Sequence, residues 1–118
     1  MKNLLLVVLL NVGLLLPYVS HAMIPLEMKF AELPYELQVV SICESGGRQF
    51  DKKGNLITSY TKDHGFMQIN EKAHAQTAKK LGFDIYSERG NMAYGYYLYK
   101  LNGLKDWSAS KHCWQNML

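Results

Sequence analysis

Apolar and polar positions divide the chain into segments of different period. Met23 to Leu33 has no clear period and is expected to be an extended lead-in. From Tyr35 to Ser45 the apolar residues Leu37, Val39, Val40 and Ile42 point in several directions, as in a helix buried over most of its surface. Leu37, Val40, Ser41 and Glu44 follow the i, i+3, i+4, i+7 spacing and share one side of it. Pro34 suits the first turn and Gly46-Gly47 the end, so Glu44 falls in the last turn. Arg48 to Asp63 reads as loop and hairpin. Asp51-Lys-Lys-Gly-Asn55 is a turn, and Leu56–Tyr60 and Gly65–Ile69 are short β-type runs on either side of Thr61–His64. Asn70 caps a helix over Glu71–Leu81 that Gly82 closes, and its thin apolar content predicts an exposed helix. Ser87 caps another over Glu88–Leu101, rich in Tyr94, Tyr96, Tyr97 and Tyr99. A last helical segment spans Asp106 to Gln115, capped by Asp106 or Ser108, with Trp107 and Trp114 packed inward. The expected fold is mainly α, a small helical domain with a short β-hairpin next to the helix that carries Glu44.

The start of the chain reads as an address. Lys2 precedes an apolar run from Leu4 to Leu16, and Ser20-His21-Ala22 places small residues at a cleavage site. The run is shorter than the roughly 20 residues a spanning helix needs. A signal peptide over residues 1–22 and a domain over 23–118 follow as the expectation, with the mature protein periplasmic or secreted and without a membrane span. The only two cysteines, Cys43 and Cys113, would then meet an oxidising compartment and pair. A small domain gains from such a staple. The rival, a zinc site on His64, His74 or His112, lacks metal-type pair spacing, so no metal is expected. The formal net charge of +3 includes Lys2 of the leader. The remaining excess is small, with no basic stripe or motif that would imply nucleic-acid binding.

Glu44 is the candidate for chemistry. It follows Val39, Val40, Ile42 and Cys43, and a carboxyl against apolar groups resists ionisation. Such a group can protonate the leaving oxygen of a glycosidic bond near neutral pH. Asp51 and Asp63 are candidates for a second carboxylate, although Asp51 sits in a Lys-Lys-Gly turn and Asp63 closes a hairpin. His64 reads as an exposed turn histidine.

Three motifs in order, E-S-G-G-R-Q-F from Glu44, G-F-M-Q-I-N from Gly65 and N-M-A-Y-G-Y-Y-L from Asn91, resemble the lytic transglycosylase SLT domain of the lysozyme-like superfamily. The resemblance covers about Leu33 to Leu104. The small variants associated with secretion, pilus and conjugation systems share M-Q-I-N and an Asp two residues before the glycine. The resemblance implies an α+β lysozyme-like fold acting on peptidoglycan glycan strands as a monomer, without a cofactor. Glu44 would be the acid and then the base that forms 1,6-anhydro-N-acetylmuramic acid. Ser45 would orient the carboxyl and substrate, Met67 and Gln68 would line the groove floor, and Tyr94 or Tyr97 would be the aromatic partner. Secretion, pilus or conjugation machinery is the expected further partner. In two places the chain departs from the family. Leu98 stands where a tyrosine often follows the helix glycine, and Trp107-Ser-Ala-Ser110 replaces the usual A-Y-N-x-G segment. The alternatives are a hydrolytic muramidase on the same fold, a non-catalytic peptidoglycan-binding protein and a structural adaptor of a secretion machine.

Overall fold

A computed structural model describes residues 24–118; the expected leader over residues 1–22 lies outside them. The described chain is mainly helical with one small antiparallel sheet. The lead-in is not wholly extended, because Phe30–Glu32 makes a 3₁₀ turn between the buried Met28 and Leu33. Helix α1 spans Tyr35–Ser45, with Pro34 at the N-cap, one position earlier than expected. Leu37, Val40 and Ser41 are fully buried and Val39 nearly so, whereas Ile42 faces solvent. Gly46 closes the helix in the left-handed conformation at φ 71°, which costs glycine nothing.

The hairpin exists, but its strands are displaced from the expected runs. Strand β1 is Asp63–His64 and β2 is Ile69–Asn70, pairing Asp63 with Asn70 and His64 with Ile69. Gly65–Gln68 is therefore the turn. The expected connector, Thr61–His64, supplies a strand instead. The reason lies in the backbone: Gly65 has φ 72° and Gln68 has φ 50°, which breaks a strand at both ends of the Gly-Phe-Met-Gln segment. The Leu56–Tyr60 run contributes only isolated bridges, Phe50 with Leu56 and Thr58 with His64. His64 is also not an exposed turn residue. It is 7% exposed, because pairing on both sides draws it under Tyr86.

Helix α2 (Glu71–Leu81) starts where Asn70 accepts a hydrogen bond from Ala73 N at 2.9 Å and ends at a left-handed Gly82. Only Ala78 is buried on it, as its sparse apolar content predicts. Helix α3 (Glu88–Asn102) is capped by Ser87, whose Oγ accepts from Gly90 N at 3.1 Å. Its buried face carries Asn91, Met92, Ala93, Tyr94, Gly95 and Leu98 and forms the centre of the core.

The expected last helix is split. Lys105–Ser110 is 3₁₀-like with a kink at Trp107, and helix α4 is the single turn Lys111–Trp114. Neither Asp106 nor Ser108 caps it; the Asp106 carboxylate accepts from Asn102 instead. The kink lets both tryptophans pack inward and donate their indole N–H groups to buried carbonyls. Cys43 on α1 and Cys113 on α4 are disulfide-bonded, with Cα atoms 6.0 Å apart. Among the described residues no helix is long and apolar enough to cross a membrane.

Candidate active site

The turn Gly65–Gln68 is mostly buried, so each of its backbone polar groups needs a partner. Partners come from distant parts of the chain. Gly65 N donates to Ile57 O at 2.7 Å. Phe66 N donates to Gln49 Oε1 and Met67 N to Asn91 Oδ1, each at 2.7 Å. Ser45 Oγ donates to Phe66 O at 2.8 Å, and Trp107 Nε1 to Met67 O at 2.9 Å. Gly65 O accepts from both the backbone N and the side-chain amide of Gln68. Gly65 is required here, because any Cβ would collide with the Gln49 amide. Asn91 is fully buried and has all its bonds made, its amide also donating to His64 O at 2.8 Å and Ile85 O at 2.7 Å. One turn of α3 further on, a Cβ at Gly95 would meet Met67 Cγ at 2.7 Å, so the missing side chain is what lets Met67 seat against the helix.

This frame sets the surroundings of Glu44. The carboxyl is half-buried at the end of α1, and Ser110 Oγ donates to its Oε1 at 2.6 Å. Burial raises the Glu44 carboxyl above the ordinary carboxylate range; the Ser110 bond opposes this and the charge of Asp63 adds to it. Ser110 Oγ also lies 3.1 Å from Trp107 O, while Trp107 is bonded through its indole to Met67. Glu44 and the Gly-Phe-Met-Gln turn are thus joined to the same tryptophan.

Asp63 differs from Glu44 in its surroundings. Some burial pulls its carboxyl upward, but the hydroxyls of Ser59 and Thr61 and the amide of Asn70 outweigh it and hold the group below its ordinary value. Asp51 is an exposed turn residue that accepts from Lys53 N and Asn55 N. His64 bonds Thr58 through Nδ1 at 3.0 Å and lies 3.3 Å from Glu71 through Nε2. Among the described residues no group of three or more acidic, histidine or cysteine side chains is placed to hold a metal ion.

Not all the residues expected at the site meet Glu44. The Ser45 hydroxyl is engaged by Ser41 O, Phe66 O and Arg48 N, so it pins the turn to α1 rather than bonding the carboxyl. The Met67 side chain is fully buried beneath the turn, while Gln68 is half-buried with its amide on Gly65 O and Ile57 O. Tyr94 is wholly buried; its hydroxyl pairs with His74 Nδ1 at 3.0 Å, and burial, with Tyr97 and Asp106 nearby, pushes its phenol up to about 12. Tyr97 is partly exposed and packs on Phe83 and Tyr94. No hydrogen bond joins either tyrosine to Glu44. Ser110 and Gln49 are the additions that sequence reasoning missed. Gln49 lies inside the first motif, so a buried glutamine beside the motif turn was there to find. Ser110 carries no local signal. Comparison with protein-family models, curated proteins and solved structures returns no match to this chain.

Proposed function

We propose that this chain cleaves the glycan strands of peptidoglycan as a lytic transglycosylase, with Glu44 as its single acid and base. The reading is supported by the half-buried Glu44 carboxyl, which burial raises above its ordinary value and which is linked through Ser110 and Trp107 to the braced turn bearing Met67 and Gln68. The Glu44 proton passes to the bridging oxygen as the bond from that oxygen to the anomeric carbon of N-acetylmuramic acid breaks. The resulting carboxylate takes the proton of the muramoyl 6-hydroxyl as O6 closes on the anomeric carbon. Water is not consumed, and Glu44 ends protonated as it began. Ser110 serves both states, donating to the carboxylate or, when the carboxyl is protonated, turning its own proton to Trp107 O and accepting from Glu44.

A second reading has an observation in its favour. Asp63 is held ionised close enough for its charge to act on Glu44, and two carboxyls whose environments push them apart fit an acid and a water-activating base. That would be a hydrolytic muramidase. Digestion of purified sacculi separates the two, since anhydro ends are lighter than reducing ends by one water. We expect anhydro products from the wild type and a loss of about 100-fold or more in cleavage for Glu44→Gln. Reducing ends alone would transfer the assignment to hydrolysis, and full activity in Glu44→Gln would remove the enzyme reading altogether.

A further inference from the structure

At the end of α1 lies a groove that the chemistry of Glu44 leaves without a role. Its volume is about 440 Å³, and four segments line it: the 3₁₀ turn, the end of α1, the Gly65–Gln68 turn and the start of α3. Phe66 and Met92, both buried, give it an apolar floor. Phe30 and Ile42 also line it and remain 41% and 49% exposed, although each is a large apolar side chain. The Phe30 ring packs edge-on against Phe66, with centroids 5.8 Å apart. The surrounding backbone is tied down. Gln38 Nε2 donates to Phe30 O and Leu33 O, each at 3.1 Å, and Met28 N donates to Arg89 O at 3.1 Å. The lead-in is thereby fixed to both α1 and α3.

Charge narrows the class of guest. Lys29 and Arg89 line the groove with Glu88, all three exposed, and among the described residues no carboxylate lies at ion-pairing distance from either cation. Two unpaired cations beside an apolar floor suit a guest that carries carboxylates next to small apolar groups. The stem peptide of peptidoglycan has that character. Its alanine methyls alternate with the α-carboxylate of a γ-linked D-glutamate, a carboxylate of a diamino acid and a terminal carboxylate. Glu88 offers a partner to the free amine of the diamino acid. Reach is sufficient as well. Gly46 and Gly47 line the groove two and three residues after Glu44. Two residues of chain span at most about 7 Å, whereas an extended tetrapeptide spans about 13 Å. A peptide hanging from a muramic acid at Glu44 is therefore long enough to enter the groove across two residues that have no side chain.

We propose that this groove binds the stem peptide of the glycan strand, with Lys29 and Arg89 on its carboxylates and the apolar floor under its methyl groups. It rests on the glycan-cleaving reading of Glu44 and adds the peptide to the substrate that is recognised. The probe is the free tetrapeptide of L-alanine, γ-linked D-glutamate, meso-diaminopimelate and D-alanine, titrated calorimetrically into Glu44→Gln protein. Binding should weaken as salt rises, and about threefold to tenfold when Lys29→Gln and Arg89→Gln are combined. It should be lost when the carboxylates of the tetrapeptide are amidated. In the otherwise wild-type chain the same two substitutions should raise KM for peptide-bearing strands and leave KM for strands stripped of peptide unchanged. The values of kcat and the thermal midpoint should not move, and Lys29→Arg should behave as the wild type. If the wild type releases anhydro ends but the tetrapeptide fails to bind, or binds the double variant equally well, the groove assignment is refuted and the glycan reading stands. If the tetrapeptide binds as expected and the wild type cleaves neither kind of strand, the glycan reading falls and the groove remains a peptide site. Neither binding nor cleavage would remove both.

Discussion

At Glu44 two acceptors compete for one hydroxyl. Ser110 Oγ is 2.6 Å from Glu44 Oε1 and 3.1 Å from Trp107 O, and a serine has a single proton to donate. Given to the carboxylate, that proton favours the anion and lowers the pKa that burial raises. The rate of an acid-catalysed cleavage falls as pH rises through the pKa of the acid, so the proposed mechanism predicts an alkaline limb that follows Glu44. Ser110→Ala removes a bond to the charged form. The alkaline limb should therefore move to higher pH, while the plateau rate drops because the carboxyl loses its anchor. A pH–rate series on soluble glycan strands measures both, and a limb displaced towards acid would contradict the assignment. Tyr94 shows the opposite case: an aromatic-rich helix makes it a candidate groove residue, yet it lies at the centre of the core with its hydroxyl on His74.

Among the elements, the Gly65–Gln68 turn depends most on others. Four of its bonds come from side chains elsewhere in sequence: Ser45, Gln49, Asn91 and Trp107. Asn91 alone joins Met67, His64 and Ile85. Asn91→Ala leaves a buried N–H and two buried carbonyls without these partners, at a cost of about 3 kcal/mol. Urea unfolding should show the midpoint falling with the slope little changed, and cleavage should weaken as the turn loosens. The Asn91-to-Gly95 spacing was legible only through the family motif it resembles. Its partners were less so. The Gly-Phe-Met-Gln segment reads as a β-run from its apolar residues, and only the positive φ values at Gly65 and Gln68 make it a turn.

For the whole molecule, the Cys43–Cys113 bond both closes the chain and aligns the site. It spans a sequence separation of 70 and joins the neighbour of Glu44 to the helix that follows Ser110. Replacing both cysteines by serine should cost about 4 kcal/mol from loop entropy. It should also lower the rate at temperatures where the protein is still folded, because Ser110 is then held against Glu44 only by packing. Melting curves and rates of the wild type and the double variant, below both transitions, separate these effects. An unchanged rate in the folded range would leave the disulfide a purely stabilising role.

The sequence by itself determined what adjacent residues can settle. Asn70 and Ser87 cap their helices, Gly46 and Gly82 end theirs, and two cysteines pair, because these outcomes depend on short-range hydrogen bonds, glycine's conformational freedom or simple count. It also placed Glu44 in the last turn of a buried helix. The tertiary structure alone decided that His64 is buried, that Trp107 breaks the last helix, and that Ser110 meets Glu44 across 66 residues of chain. Those contacts satisfy polar groups that become buried only when distant segments come together, and no local period in the chain encodes them.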